Sequence, residues 1–246
     1  MEEFKWRDRM PEKVIGVLGG MGPEATLDFY GKLIRLTPAR RDQDHLRVII
    51  DSNPKVPDRT QAILYGGESP VPYLVRGAER LRLAGAHFIV IPCVSAHYFL
   101  EEVSRKSPLP VISILDATIQ EISRRWPWAK RVGLIGTVGT LKGGHFQRSL
   151  AASGFETIIP DEGDQGLVME AIYCVKDSQG STRRGEMVEA LEGVLVRLAK
   201  RGAQLAIAGC TELPIILPDK CGGLDIVDPL VALARAAIRE AGLEPL

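Results

Sequence analysis

The chain has 246 residues, enough for one large domain or two small ones. Lys plus Arg and Asp plus Glu each number 31, so the formal charge is zero, and no dense basic run points to a nucleic-acid surface. No apolar stretch approaches the roughly 20 residues of a membrane span. The first ten residues, MEEFKWRDRM, carry both signs of charge where a signal peptide would be apolar, so a cytoplasmic location is expected.

In chain order, short apolar runs at 14–18, 48–50, 88–91, 132–135 and 205–208 predict strands buried on both faces. Helical patterns fall at 25–36, 70–83, 96–105, 114–125, 144–152 and 185–200, with a terminal helix at 229–241. Strands alternating with helices predict an α/β fold with largely parallel sheets. Within this order lies an internal register. The string Ile15-Gly-Val-Leu-Gly19 resembles Val132-Gly-Leu-Ile-Gly136, at a shift of 117 residues. At the same shift, Leu81-Arg-Leu-Ala-Gly-Ala86 falls on Leu198-Ala-Lys-Arg-Gly-Ala203, and the following runs end on Cys93 and Cys210. Two matches at one shift predict a duplication. The expected architecture is two similar doubly wound domains related by a pseudo-twofold axis, with the active site in the cleft between them. The first would comprise 1–115 plus a docked tail, 219–246, and the second 116–218.

Ligands of open α/β sheets bind beyond the carboxyl ends of the strands. Cys93 and Cys210 both stand at such ends, so two thiols would face one pocket. Racemisation removes a proton from one face of a stereocentre and returns one to the other, which suits an acid and a base on opposite sides. A thiol, with an ordinary pKa of about 8.5, can serve as either. Cys174 and Cys221 have no partner at the repeat shift and are read as structural. None of the four cysteines has the spacing of a metal site, so no metal or other cofactor is implied. His97, four residues after Cys93, could tune that thiol or simply pack; Glu212 could orient groups near Cys210 or make a structural bond. His45, His87 and His145 read as structural or exposed. The glycine turns at Gly19–Gly22 and Gly136–Gly139 are read as letting backbone amides approach a small carboxylate. They also admit a nucleotide-dependent reductase or a plain ligand-binding module, although GxGxxG spacing is absent.

Several ordered motifs then resemble the aspartate/glutamate racemase family, nearest its aspartate branch. They are Gly16-Val-Leu-Gly-Gly-Met-Gly-Pro-Glu-Ala-Thr26, Asn53-Pro-Lys-Val-Pro-Asp-Arg-Thr60, Pro92-Cys-Val-Ser-Ala-His97, Gly136-Thr-Val-Gly-Thr140 and Gly209-Cys-Thr-Glu-Leu213. The resemblance implies a homodimeric isomerase that racemises aspartate, and possibly glutamate, without pyridoxal phosphate. It implies Cys93 and Cys210 as the catalytic pair. Arg59 and Lys176 would hold the substrate's side-chain carboxylate. Asn53, Ser95, Thr137 and Thr211 would hold its amino or α-carboxylate group, and Met21 would form part of the pocket wall. Where the family usually reads Cys-Asn-Thr, this chain reads Cys93-Val94-Ser95, and Val94 cannot replace the hydrogen bonds of an amide. That departure motivates a second reading, a related racemase of another amino acid or a hydantoin.

Overall fold

The structure, a computed structural model, describes residues 13–177 and 180–246, without the side chains of residues 180 and 181. The N-terminal segment considered for export lies outside the described residues.

The all-apolar runs form the central strands. β1 (Ile15–Gly19) is buried along its whole length and lies between β2 (Val48–Ser52) and β3 (Phe88–Val90); β4 (Val111–Ile112) completes a parallel sheet in the order β2-β1-β3-β4. A second sheet runs β6-β5-β7-β9-β8, with β5 Arg131–Ile135, β6 Glu156–Ile158, β7 Leu205–Ala208, β8 Lys220–Cys221 and β9 Leu224–Val227. It is parallel except for the antiparallel edge strand β8. The order of its first four strands repeats that of the first sheet. The register is preserved between the central strands: Ile15 pairs with Phe88, and 117 residues on, Val132 pairs with Leu205. It fails at the next strand, since Ile15 also pairs with Val48 but Val132 with Thr157, because the link before β6 is much shorter than the one before β2.

The helices are α1 (Pro23–Leu36), α2 (Arg59–Tyr65), α3 (Val71–Leu83), α4 (Leu100–Lys106), α5 (Ile114–Arg125), α6 (Val138–Gly143), α7 (His145–Ala152), α8 (Glu162–Lys176), α9 (Arg184–Lys200) and α10 (Pro229–Glu240). The apolar faces of α1, α5, α7 and α10 meet in one cluster with strand residues of both sheets, including Phe29, Phe88, Phe146, Leu134 and Ile207. The outer face of the first sheet packs on α3, and that of the second on α8 and α9. Each fully buried Phe or Leu in these layers contributes about 1.5–3 kcal/mol.

The tail, 219–246, expected to dock on the first unit, contributes to both. Strands β8 and β9 extend the second sheet through β7, while α10 lies against α1 and α5. The reason is a hairpin: Gly222 and Gly223 have φ of 57° and 80°, which turns the chain back so that Cys221 pairs with Leu224. The helix expected at 96–105 divides into a 3-10 turn, Ser95–Phe99, followed by α4. The helices α2, α6 and α8 and the strands β4, β6, β8 and β9 are additions to the predicted elements.

The glycine turns serve close packing. A Cβ on Gly20 would stand 2.4 Å from the backbone of Asn53, and one on Gly136 would stand 2.9 Å from the Gly209 carbonyl oxygen. Because the second obstacle is backbone, Gly136→Ala must displace the loop that carries Cys210. The expected cost is about 1–3 kcal/mol, read as a lower urea midpoint; an unchanged midpoint would show that this contact is not constraining.

Candidate active site

Each sheet ends at the same cleft. The chain leaving β3 reaches Cys93, and the chain leaving β7 reaches Cys210; both are free thiols and nearly fully buried, at 5% and 6% exposure. They line one cavity of about 90 Å³. That is below the roughly 300–1,000 Å³ typical of cofactor and drug-sized sites, so it suits a small ligand and not a dinucleotide. In the turn before α1, Gly20 N donates to Thr26 Oγ1 at 2.9 Å.

Of the residues singled out from sequence, Met21, Arg59, Cys93, Ser95, Thr137, Lys176, Cys210, Thr211 and Glu212 line the cavity, and Asn53 does not. Because Ser52 pairs with Gly19 at the end of β2, Asn53 folds over Gly20, and its Oδ1 accepts from Lys55 N at 3.0 Å. Val94 lines the cavity and is also part of the apolar core. Asp58, Thr60, Met169, Ile172 and Tyr173 complete the wall and were not anticipated. Met169, Ile172, Tyr173 and Lys176 are spaced for one face of a helix, a signal present in the sequence.

Local capping sets the cations and hydroxyls in place. Asp58 caps α2 by accepting from Gln61 N at 2.8 Å, which seats Arg59 at the helix start. The Arg59 guanidinium donates to the carbonyls of Val56, Pro57 and Met21 at 3.2, 3.0 and 3.4 Å. Its buried Nε has no hydrogen-bond partner among the described residues. Arg59 therefore keeps donor capacity for an anion. Thr137 caps α6 by accepting from Thr140 N at 3.0 Å. Its hydroxyl also meets those of Thr140 and Ser95 at 3.0 and 3.2 Å, and Ser95 and Thr140 are 3.1 Å apart, closing a buried triangle across the two halves.

On the opposite side Glu212, 2% exposed, pairs with Lys176 through Oε1 and accepts from the Cys210 thiol at 3.0 Å through Oε2. Burial, reinforced by the Glu212 carboxylate, pushes the Cys210 thiol well above its usual pKa, with Lys176 opposing. Burial disfavours the Lys176 ammonium, but Glu212, Cys210 and Cys93 outweigh it and raise its pKa.

His97 is near Cys93 without lining the cavity. Its Nε2 accepts from Ile114 N at 3.0 Å, which makes Nδ1 the donor to the Cys93 carbonyl at 2.9 Å. It thus ties the cysteine loop to α5 and does not touch the thiol. His145 Nε2 similarly donates to the Val94 carbonyl at 3.3 Å. Burial lowers both imidazoles to about 4. An unfolded chain would take up protons near pH 6.5 that the fold refuses until about 4, so this stability is full above pH 6.5 and is lost as pH falls toward 4. Urea titrations should show His97 alone removing about 2 kcal/mol at pH 5; a midpoint constant from pH 7 to 5 would contradict that burial.

The family model described as Asp/Glu/hydantoin racemase matches residues 18–237. The broad specificity amino-acid racemase RacX of Bacillus subtilis is 28% identical over 235 residues, covering 92% of this chain and 96% of that protein. The aspartate racemase of Picrophilus torridus superposes with a TM-score of 0.83 at 31% identity, over 95% of this chain and 96% of that one. A putative Asp/Glu racemase from Yersinia pestis superposes at 0.76 with 25% identity, over 93% and 99% of the two chains. The match runs through both sheets and both cysteine loops, and the chain belongs to the Asp/Glu/hydantoin racemase family.

Proposed function

We propose that this isomerase racemises an acidic amino acid, aspartate before glutamate, by a two-base mechanism in which Cys93 and Cys210 act on opposite faces of the α-carbon. The observation that carries this reading is two free thiols, Arg59 and Lys176 on one small cavity. One cysteine, as thiolate, takes the α-proton; the other, as thiol, delivers its proton to the opposite face. Enantiomer conversion is then complete with one proton gained and one lost. Arg59, with its spare Nε, and Lys176, with donors beyond the one given to Glu212, hold the side-chain carboxylate. Ser95, Thr137 and Thr211 hold the amino and α-carboxylate groups. The developing carbanion is stabilised by these fixed donors in a cavity with little room for water.

In deuterated water, L-aspartate or L-glutamate should gain α-deuterium as its chirality is lost. Absence of exchange with every amino acid tried would sink the reading. Cys93→Ser and Cys210→Ser should each slow racemisation by at least about 100-fold; full activity in either would exclude the two-thiol mechanism.

One observation favours a second reading. Met21, Val94, Met169, Ile172 and Tyr173 give the cavity an apolar wall, which would accept the side chain of a neutral amino acid. Arg59→Ala separates the two. Loss of a charge-assisted contact to a side-chain carboxylate should raise KM for aspartate by about 10–100-fold. An unchanged KM, with activity on neutral amino acids retained, would favour the second.

A further inference from the structure

Two cysteines that exchange roles need a rule for which one carries the proton before substrate arrives. The two loops differ sharply in this respect. After Cys93 come Val94, which is apolar, and Ser95, whose hydroxyl is engaged with Thr137 and Thr140. After Cys210 come Thr211 and the buried carboxylate of Glu212. Glu212 Oε2 lies 3.0 Å from Cys210 Sγ and 3.4 Å from Thr211 Oγ1, while Oε1 is taken by Lys176. A carboxylate can only accept, so the short sulfur contact requires a proton on Cys210.

We propose that Glu212 is a positioning residue that holds Cys210 as the thiol of the resting enzyme and so leaves Cys93 as the base of the first step. This rests on the two-thiol reading above. For the opposite direction Cys93 must be the thiol and Cys210 the thiolate, the latter beside the Lys176 ammonium. One turnover makes this exchange, since Cys93 gains the α-proton as Cys210 gives up its own, and the pair holds one proton throughout. The charged and titratable groups lining the cavity with this pair are Lys176 and Tyr173 from α8, Arg59 from α2 with its cap Asp58, and Cys93 across the cavity. Of these, Lys176 alone contacts Glu212 directly among the described residues. It prevents the carboxylate from destabilising the Cys210 thiolate without limit, and Gly22, whose Cβ position is 3.2 Å from Oε1, covers the buried Glu212 carboxylate.

The test uses the free enzyme, so it does not depend on knowing the substrate. Iodoacetamide alkylation of each cysteine is followed by peptide mass spectrometry across pH, and the midpoint of each profile is compared, which separates ionisation from access. In the native protein the Cys210 midpoint should lie above that of Cys93. In Glu212→Gln, an isosteric change, the Cys210 midpoint should fall so that alkylation below it is about tenfold faster, while that of Cys93 moves little. The alkaline limb of kcat/KM, which reports loss of the acid's proton, should move to lower pH by a similar amount. A native Cys210 midpoint below that of Cys93 would overturn the proposal even if the variant fails to fold. A folded variant with an unmoved Cys210 midpoint would do the same. Loss of racemase activity in both cysteine variants together with these shifts supports both readings. The shifts without any racemase activity in the native protein would overturn the catalytic reading and leave the Glu212 contact as a property of the thiol alone.

Discussion

A buried carboxylate must be paired, and the cleft is organised around the pairing of Glu212. Moving an unpartnered ion out of water costs several kcal/mol even after relaxation. Here Lys176 supplies the opposite charge, and Cys210 and Thr211 supply hydrogen bonds to the other oxygen. Lys176 stands in the last turn of α8, where the helix dipole favours a cation. The space above the pair belongs to Gly22, the residue just before α1, and a larger side chain there would crowd both Glu212 and Lys176. The glycine turn of the first half, the final turn of α8 and the loop after β7 are therefore mutually dependent. That dependence places a cation and a thiol of the second half beside the backbone of the first.

The seam between the halves is equally specific. Ser95 belongs to the first cysteine loop, and Thr137 and Thr140 to the start of α6, so their hydroxyl triangle joins the two. A Cβ on Gly139 would stand 2.7 Å from Thr60 Oγ1, so α6 approaches α2 as closely as it does because position 139 carries no side chain. His145 adds a bond from α7 to the Val94 carbonyl. Each such hydrogen bond adds only about 1 kcal/mol net, but leaving one of these buried groups unpaired would cost more. The cavity walls are thus held by contacts that fail together.

What the sequence makes legible follows from burial. β1, β5, β3 and β7 are covered on both faces, so their letters are continuously apolar and their ends are marked by glycine or cysteine. The shift of 117 residues survives there because paired strands in a filled core tolerate little change in length. α8 is hidden for the opposite reason. Its first turns contain Gly163 and Gly166, poor helix formers, and it is held by the Asp161 cap and by packing on α9. Cys221-Gly-Gly-Leu224 carried a two-residue hairpin signal that redirects the tail, but strands as short as β8 have no periodicity to read. The cavity residues that belong to motifs were visible as letters. Those that reach it through tertiary packing, Met169, Ile172 and Tyr173, were not, although their spacing fits one helical face.

The duplication also bears on how much symmetry such a cleft needs. Under the proposed two-base chemistry, opposed faces of a stereocentre call for two proton-handling groups in related positions, and two like sheets ending at one cavity suit that need. Balanced rates do not call for like surroundings. Enantiomers have equal free energies in an achiral solvent, so kcat/KM must be the same in both directions whatever the two thiols are like. A change that weakens one cysteine as an acid or a base lowers both directions alike. The flanks of the two cysteines are free to diverge under that condition, and they have: Val94 is committed to the apolar core, while Glu212 is committed to Lys176 and Cys210. In the proposed chemistry, the fold's repeat supplies the geometry of the two faces. In the same proposal, the unlike flanks decide which thiol begins the cycle ionised.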